Sequence, residues 1–160
     1  MPVKVRDIVA AMDEWAPPSL AYEWDRAGLA LGQPDDTVSG VLTCLTVTRD
    51  ALKAAKKARA NFIVAHHPLI WEPLKTLRTD DAQSALCLNL AKAGIGCYSS
   101  HTNLDVVPDG VNHILAKRLG LKDVAPLFPV AQAEQRKRVT FVPQTHLETV
   151  RAAVCGAGAG

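Results

Sequence analysis

Between residues 40 and 120 the chain alternates three short apolar runs with segments of helical character, and this alternation restricts the fold more than any other feature. The runs are GVLTCLTV (40–47), NFIVA (61–65) and IGCYS (95–99). Their length and β-branched content predict strands. The run at 61–65 is apolar on both faces, which suits a central strand covered from both sides. Thr48 is placed to cap a helix running to about residue 59, with Lys53, Lys56, Lys57 and Arg59 on its solvated face. A second helix is predicted over 80–93, ended by Gly94. A third, capped by Asp109, carries Val111, Ile114, Leu115 and Leu119 and stops at Gly120. The order β-α-β-α-β-α predicts an α/β fold: a mainly parallel sheet with right-handed crossovers and helices packed on it.

The flanks read differently. Residues 5–15 form a helix with Ile8, Val9, Met12 and Trp15 on one face, stopped by Pro17 and Pro18. LAYEWDRAGLALGQPDD (20–36) reads as loop-rich. From Leu121 the texture turns to proline and polar residues, the composition of a linker. A strand over 138–142 follows, and Thr145 and Glu148 have the spacing of a capping box for a helix reaching residue 154. One strand and one helix cannot enclose a core. The expected organisation is therefore an α/β domain over 1–127, a linker over 128–137, and a partial βα unit over 138–160.

Composition narrows the class. Hydrophobic residues make up 48% and charged residues 21%, enough to bury a core. A net charge of +2 supplies no field for nucleic acid or acidic lipid. The first fifteen residues are interrupted by charge and lack the apolar region of a secretory signal, and no run approaches the ~20 residues of a membrane span. Cys44, Cys87, Cys97 and Cys155 form no CxxC pair. We read them as reduced thiols used for buried packing in a cytoplasmic protein.

Chemistry concentrates after two of the strands. His66 and His67 follow the run at 61–65 directly, and Pro68 keeps His67 extended. Ligands in open α/β sheets gather beyond the carboxyl ends of the strands. Adjacent strand residues point to opposite faces, so the two imidazoles share a site only if the chain bends there or if they serve two nearby ions. On their own they are also compatible with structural histidines. SSHTNLD (99–105) follows the next strand and should open on the same edge. Asp105 offers a carboxylate able to bridge two ions, and His101, Thr102 and Asn103 offer hydrogen bonds behind the ligands. Asp25 reads more readily as a turn residue than as a neighbour of the site. His113 reads as structural and His146 as exposed. Walker, GxSxG and GxGxxG motifs are absent.

These segments carry a resemblance. LAYEWDRAGLALGQP, GVLTCLTVT, NFIVAHHPLIWEPLK, GIGCYSSHTNLDVVPDGVNHILAKRLGL and RVTFVPQTHLETVRAAVCGAGAG together resemble the amino-terminal portion of the dinuclear-metal-centre proteins. These are also called GTP cyclohydrolase I type 2 homologues, or the NIF-three-like family. The resemblance implies two divalent ions (zinc, iron or manganese), with His66 and His67 on different ions and Asp105 on one of them. It also implies a toroidal homohexamer. The family's remaining ligands, a histidine and a glutamate four positions apart near the carboxyl terminus, match no segment here. The chain thus reads as incomplete, ending at the start of an inserted domain. Thr46 stands where the family usually has aspartate, Arg26 where it has asparagine and Trp71 where it has phenylalanine.

Two functions are compatible with this. One is a dinuclear-metal-dependent hydrolase, in which ions about 3.5–4 Å apart activate a bridging water. The substrate would be a small molecule or nucleotide, attacked in a cyclohydrolase-type or phosphoester hydrolysis, and these 160 residues alone would be inactive. The other is a non-enzymatic metal-binding or protein-interaction module.

Overall fold

The computed structural model describes residues 2–127 and 139–158. It divides into two compact units, at residues 126 and 127. The first contains α1 (Val5–Trp15), β1 (Gly28–Leu31), β2 (Val41–Cys44), α2 (Arg49–Ala58), β3 (Phe62–Ala65), α3 (Ala82–Lys92), β4 (Gly96–Ser99), α4 (Thr102–Val106) and α5 (Val111–Arg118). The second contains α6 (Leu147–Gly156) after a single 3-10 turn.

The three strands read from the sequence are present and pair in parallel: Val41–Cys44 with Phe62–Ala65, and Phe62–Ala65 with Gly96–Ser99. The strand order β1-β4-β3-β2 puts β3 and β4 inside the sheet. Their apolar content follows from that position, because side chains on both faces are covered. Ile63 and Cys97 pack on one side with Leu52 and Ala55 of α2 and Leu86 and Leu90 of α3. Phe62 and Tyr98 face the other side, against Val5, Ile8, Val9 and Met12 of α1. Each of the fully buried Phe62, Ile63 and Leu90 side chains contributes about 1.5–3 kcal/mol relative to exposure. The Tyr98 hydroxyl donates to Asp13 Oδ1 at 2.6 Å, so its polar end is satisfied at the rim.

Local signals set the helix ends. Thr48 Oγ1 accepts from Ala51 N at 3.1 Å, and Asp81 caps α3 by accepting from Ser84 N at 2.7 Å. Gly94 takes φ 64° just beyond α3, a conformation that glycine adopts without steric cost.

Several expectations need correction. The 20–36 stretch contains β1, which joins the sheet antiparallel to β4, with Gly28 opposite Ser99. Only four residues long, beginning at Gly28 and followed by Gly32, both at positive φ, it carries little strand signal. Asp109 does not cap α5; it lies at φ 59° and Gly110 is the N-cap. The apolar residues of α5 (Val111, Ile114, Leu115) stay exposed, as does Leu119 just after it. His101 is followed by a short helix rather than a loop. In the second unit, residues 139–142 form no strand, and Phe141 is almost fully exposed. The capping box does not form either: Thr145 Oγ1 bonds the His146 ring instead, and Glu148 pairs with Arg151. The expected linker over 128–137, and Arg138, lie outside the described residues.

All four cysteines are free thiols. Cys87 and Cys97 are buried as expected of packing residues, and burial pushes the Cys97 thiol up to about 12. Cys155 is exposed, which corrects its assignment to packing. Among the described residues no helix is long and apolar enough to cross a membrane.

Candidate metal centre

The site forms where β3 and β4 end together. Their parallel register sets Ala65 opposite Ser99, so the next residues of both chains leave the sheet side by side. Ser100 N donates to Ala65 O at 3.0 Å. The chain bends at His66 and His67, with their backbone N–H groups on Cys44 O (3.2 Å) and Leu45 O (2.8 Å). This bend removes the alternation that would send the imidazoles to opposite faces, and their ring centroids stand 5.3 Å apart.

His66 donates from Nδ1 to the Ser100 carbonyl at 2.9 Å, which leaves Nε2 with a lone pair. That Nε2 faces Asp105 Oδ1 at 3.7 Å. Both atoms offer electron pairs, so a metal cation placed between them would find a donor on each side. His67 Nδ1 stands 2.7 Å from Thr46 Oγ1, so the hydroxyl at position 46 supplies a partner where the resemblance put a carboxylate contact in doubt. His101 brings a third imidazole, with centroids 5.2 Å from His66 and 5.9 Å from His67.

Asp25 corrects the reading of it as a turn residue. Because β1 is antiparallel to β4, the residues before Gly28 arrive at the edge where β4 ends. The Asp25 side chain is 1% exposed. Its Oδ1 accepts from Arg26 N (2.6 Å) and His101 Nδ1 (2.9 Å), and its Oδ2 from Thr102 N (3.0 Å) and the Thr102 hydroxyl. Burial pushes its pKa up, but hydrogen bonds from Thr102, His101 and the Arg26 and Thr102 backbone outweigh it and hold the carboxyl below its ordinary value of 3.8. The bond to Asp25 fixes the His101 ring with Nε2 free. Asn103 has a different task from the one its motif suggests. It is fully buried, donates to Ala16 O at 2.6 Å and accepts from His101 N at 2.9 Å, bracing the loop against the end of α1. His113 stands 3.5 Å from Asp109 at the surface.

The donor chemistry fits a divalent ion. Each of the three imidazoles has Nδ1 engaged by an oxygen, the arrangement that orients a ligating histidine. Among the described residues, however, no three His, Cys, Asp or Glu side chains are already gathered around one point where an ion could sit. His66 and Asp105 approach as a pair, and His67 stands beside them.

Comparison with known proteins gives a consistent relationship. The family model described as Duf34/NIF3 (NGG1p interacting factor 3) matches residues 3–159. A curated relative from Halalkalibacterium halodurans, named GTP cyclohydrolase 1 type 2 homolog, is 40% identical over 153 residues, covering 96% of this chain and 41% of the relative. A Bacillus cereus protein related to NIF3 has a crystal structure that superposes with a TM-score of 0.77 at 37% identity, covering 99% of this chain and 44% of that one. The crystal structure of Staphylococcus aureus protein SA1388 gives 0.73 at 38% identity, over 76% and 35%. The chain thus spans about two-fifths of the length of the curated relative. The matched family, the identities and the shared sheet agree, and the chain belongs to the Duf34/NIF3 (NGG1p interacting factor 3) family.

Proposed function

We propose that this chain binds divalent metal through His66, His67 and Asp105 and is part of a dinuclear-metal-dependent hydrolase. The observation that carries the reading is the 3.7 Å approach of His66 Nε2 to Asp105 Oδ1, with His66 Nδ1 already committed to Ser100 O. Two ions bound there would polarise water and stabilise attacking and leaving oxygens. The chain's own residues do the positioning. Ser100 O and Thr46 Oγ1 orient His66 and His67, Asp25 holds His101 beside them, and Asn103 fixes the loop that leads to Asp105. The name of the relatives suggests a cyclohydrolase-type step on a nucleotide; phosphoester hydrolysis uses the same machinery.

A non-enzymatic metal-binding or interaction module is the alternative. It is favoured by the absence, among the described residues, of three ligands around one point, and by the interacting factor named in the family description. Hydrolysis of GTP and of bis(p-nitrophenyl) phosphate by this chain and by a full-length relative separates the two readings. Turnover by the relative that is lost on replacing the residue equivalent to His66 supports the hydrolase, and no turnover by either supports the module.

Metal binding itself is tested by calorimetry with zinc and manganese. Three ligands spread over two ions leave each underligated, against the four-coordinate preference of zinc, so weak binding removable by EDTA is expected. His66→Ala and Asp105→Asn should each weaken it at least ~10-fold. Unchanged affinity in both variants would overturn the assignment, and two ions retained through EDTA dialysis would overturn the expectation of weak binding.

A further inference from the structure

Two of the chain's three tryptophans stand in the open beside the histidine cluster. Tyr22 and Trp24 stack with centroids 5.3 Å apart and planes 14° from parallel. Trp24 lies 5.8 Å from Trp71, and Trp71 meets His101 edge-on at 5.9 Å. The three side chains are 60%, 53% and 45% exposed. Large exposed aromatics are costly to solvate, and a contiguous group of them beside polar residues marks a binding surface.

The backbone that carries Tyr22 and Trp24 is pinned by hydrogen bonds. Tyr22 N donates to Thr102 Oγ1 at 3.2 Å, and the buried Asp25 carboxylate anchors the residue next to Trp24. The Arg26 guanidinium donates to the carbonyls of Trp24 (2.8 Å) and Asp25 (2.9 Å). A backbone held in place before binding loses little freedom when a ligand arrives. Trp71 also borders a cavity of about 450 Å³ with Leu69, Glu72, Lys75 and Gln83 in its walls. That cavity has room for a polar group attached to a stacked ring, and its walls carry both signs of charge, Lys75 against Glu72 and Asp81.

We propose that Tyr22, Trp24 and Trp71 form a stacking platform for a planar heteroaromatic ring, of the nucleobase kind, carried by the substrate of the histidine cluster. The proposal rests on the cluster being the reacting centre and adds which residues hold the other end of the substrate. The occupant is a small molecule rather than a nucleic acid strand, because a net charge of +2 gives no grip on a phosphodiester backbone.

The test is tryptophan fluorescence of the 160-residue chain carrying Trp15→Phe, so that only Trp24 and Trp71 report, in EDTA and without metal. Guanosine 5′-monophosphate should quench saturably, and ribose 5-phosphate, which lacks the ring, should not. Trp24→Ala, monitored through Trp71, and Trp71→Ala, monitored through Trp24, should each lower the affinity about tenfold. Trp71→Phe, which keeps a ring, should stay within about threefold. Equal quenching by the two compounds, or affinities unmoved in both alanine variants, would overturn the platform. So would light scattering showing a dimer of the parent that both Trp24→Ala and Trp71→Ala dissociate. Zinc calorimetry on Trp24→Ala keeps the two ideas apart. Metal bound with no ring recognition sinks the platform alone, and ring recognition with no metal bound sinks the metal centre alone.

Discussion

A carboxylate that accepts four hydrogen bonds while its side chain is 1% exposed depends on staying charged. Asp25 sits below its ordinary pKa of 3.8, so the stability it contributes is fully present above that value and is lost as pH falls through its depressed one. Asp25→Asn should cost about 1–3 kcal/mol at neutral pH, because an amide cannot satisfy the same donors. It should also flatten the acid limb of the stability curve; urea melts from pH 7 to pH 3 check both. Thr46→Val removes the partner of His67 Nδ1 and, if metal binds as proposed, should weaken it about 10–100-fold by calorimetry without changing the fold. The placement of His66, His67 and Asp105 beyond β3 and β4 was legible because the sequence announces those strands. Asp25 was not, since its partner lies 76 residues away and the strand that delivers it is too short to read.

The elements that aim the site depend on close approaches. Gly110 is the N-cap of α5, and a methyl group added there would stand 2.1 Å from the carbonyl of Leu104 and 2.8 Å from that of Val107. Its φ of −79° is ordinary, so the constraint is space rather than backbone strain. Gly110→Ala should therefore push α5 away from α4, cost about 1–3 kcal/mol in a thermal melt, and disturb the neighbouring Asp105. Thr48→Ala should cost about 1 kcal/mol through loss of the α2 cap, with no effect on the site. Helices with a side-chain cap were read nearly to the residue, because the cap is a local signal. Failures came where local signals are missing or mislead: α4 begins with no capping bond of its own from His101, and residues 139–142 take no strand conformation.

At the scale of the molecule, the buried clusters found among the described residues lie within residues 2–126, on the two faces of one sheet. Deleting residues 128–160 should leave that core intact, and the resulting 1–127 chain should melt cooperatively within a few degrees of the parent by circular dichroism. Loss of cooperative melting would mean the boundary is drawn in the wrong place. The antiparallel seat of β1 beside β4 also has a consequence during synthesis. Residues 28–31 leave the ribosome well before residues 96–99 exist, and at about 5–20 residues per second that interval is several seconds. Until then β1 has no neighbour, Asp25 has no histidine to hold, and the two aromatic rings beside it have no loop to lean on. The site is thus completed only after β4 and the loop that follows it have emerged. A nascent chain stalled short of Ser99 should expose the 22–31 segment to proteases and to chaperones that capture apolar stretches, and release of a few dozen more residues should close that window.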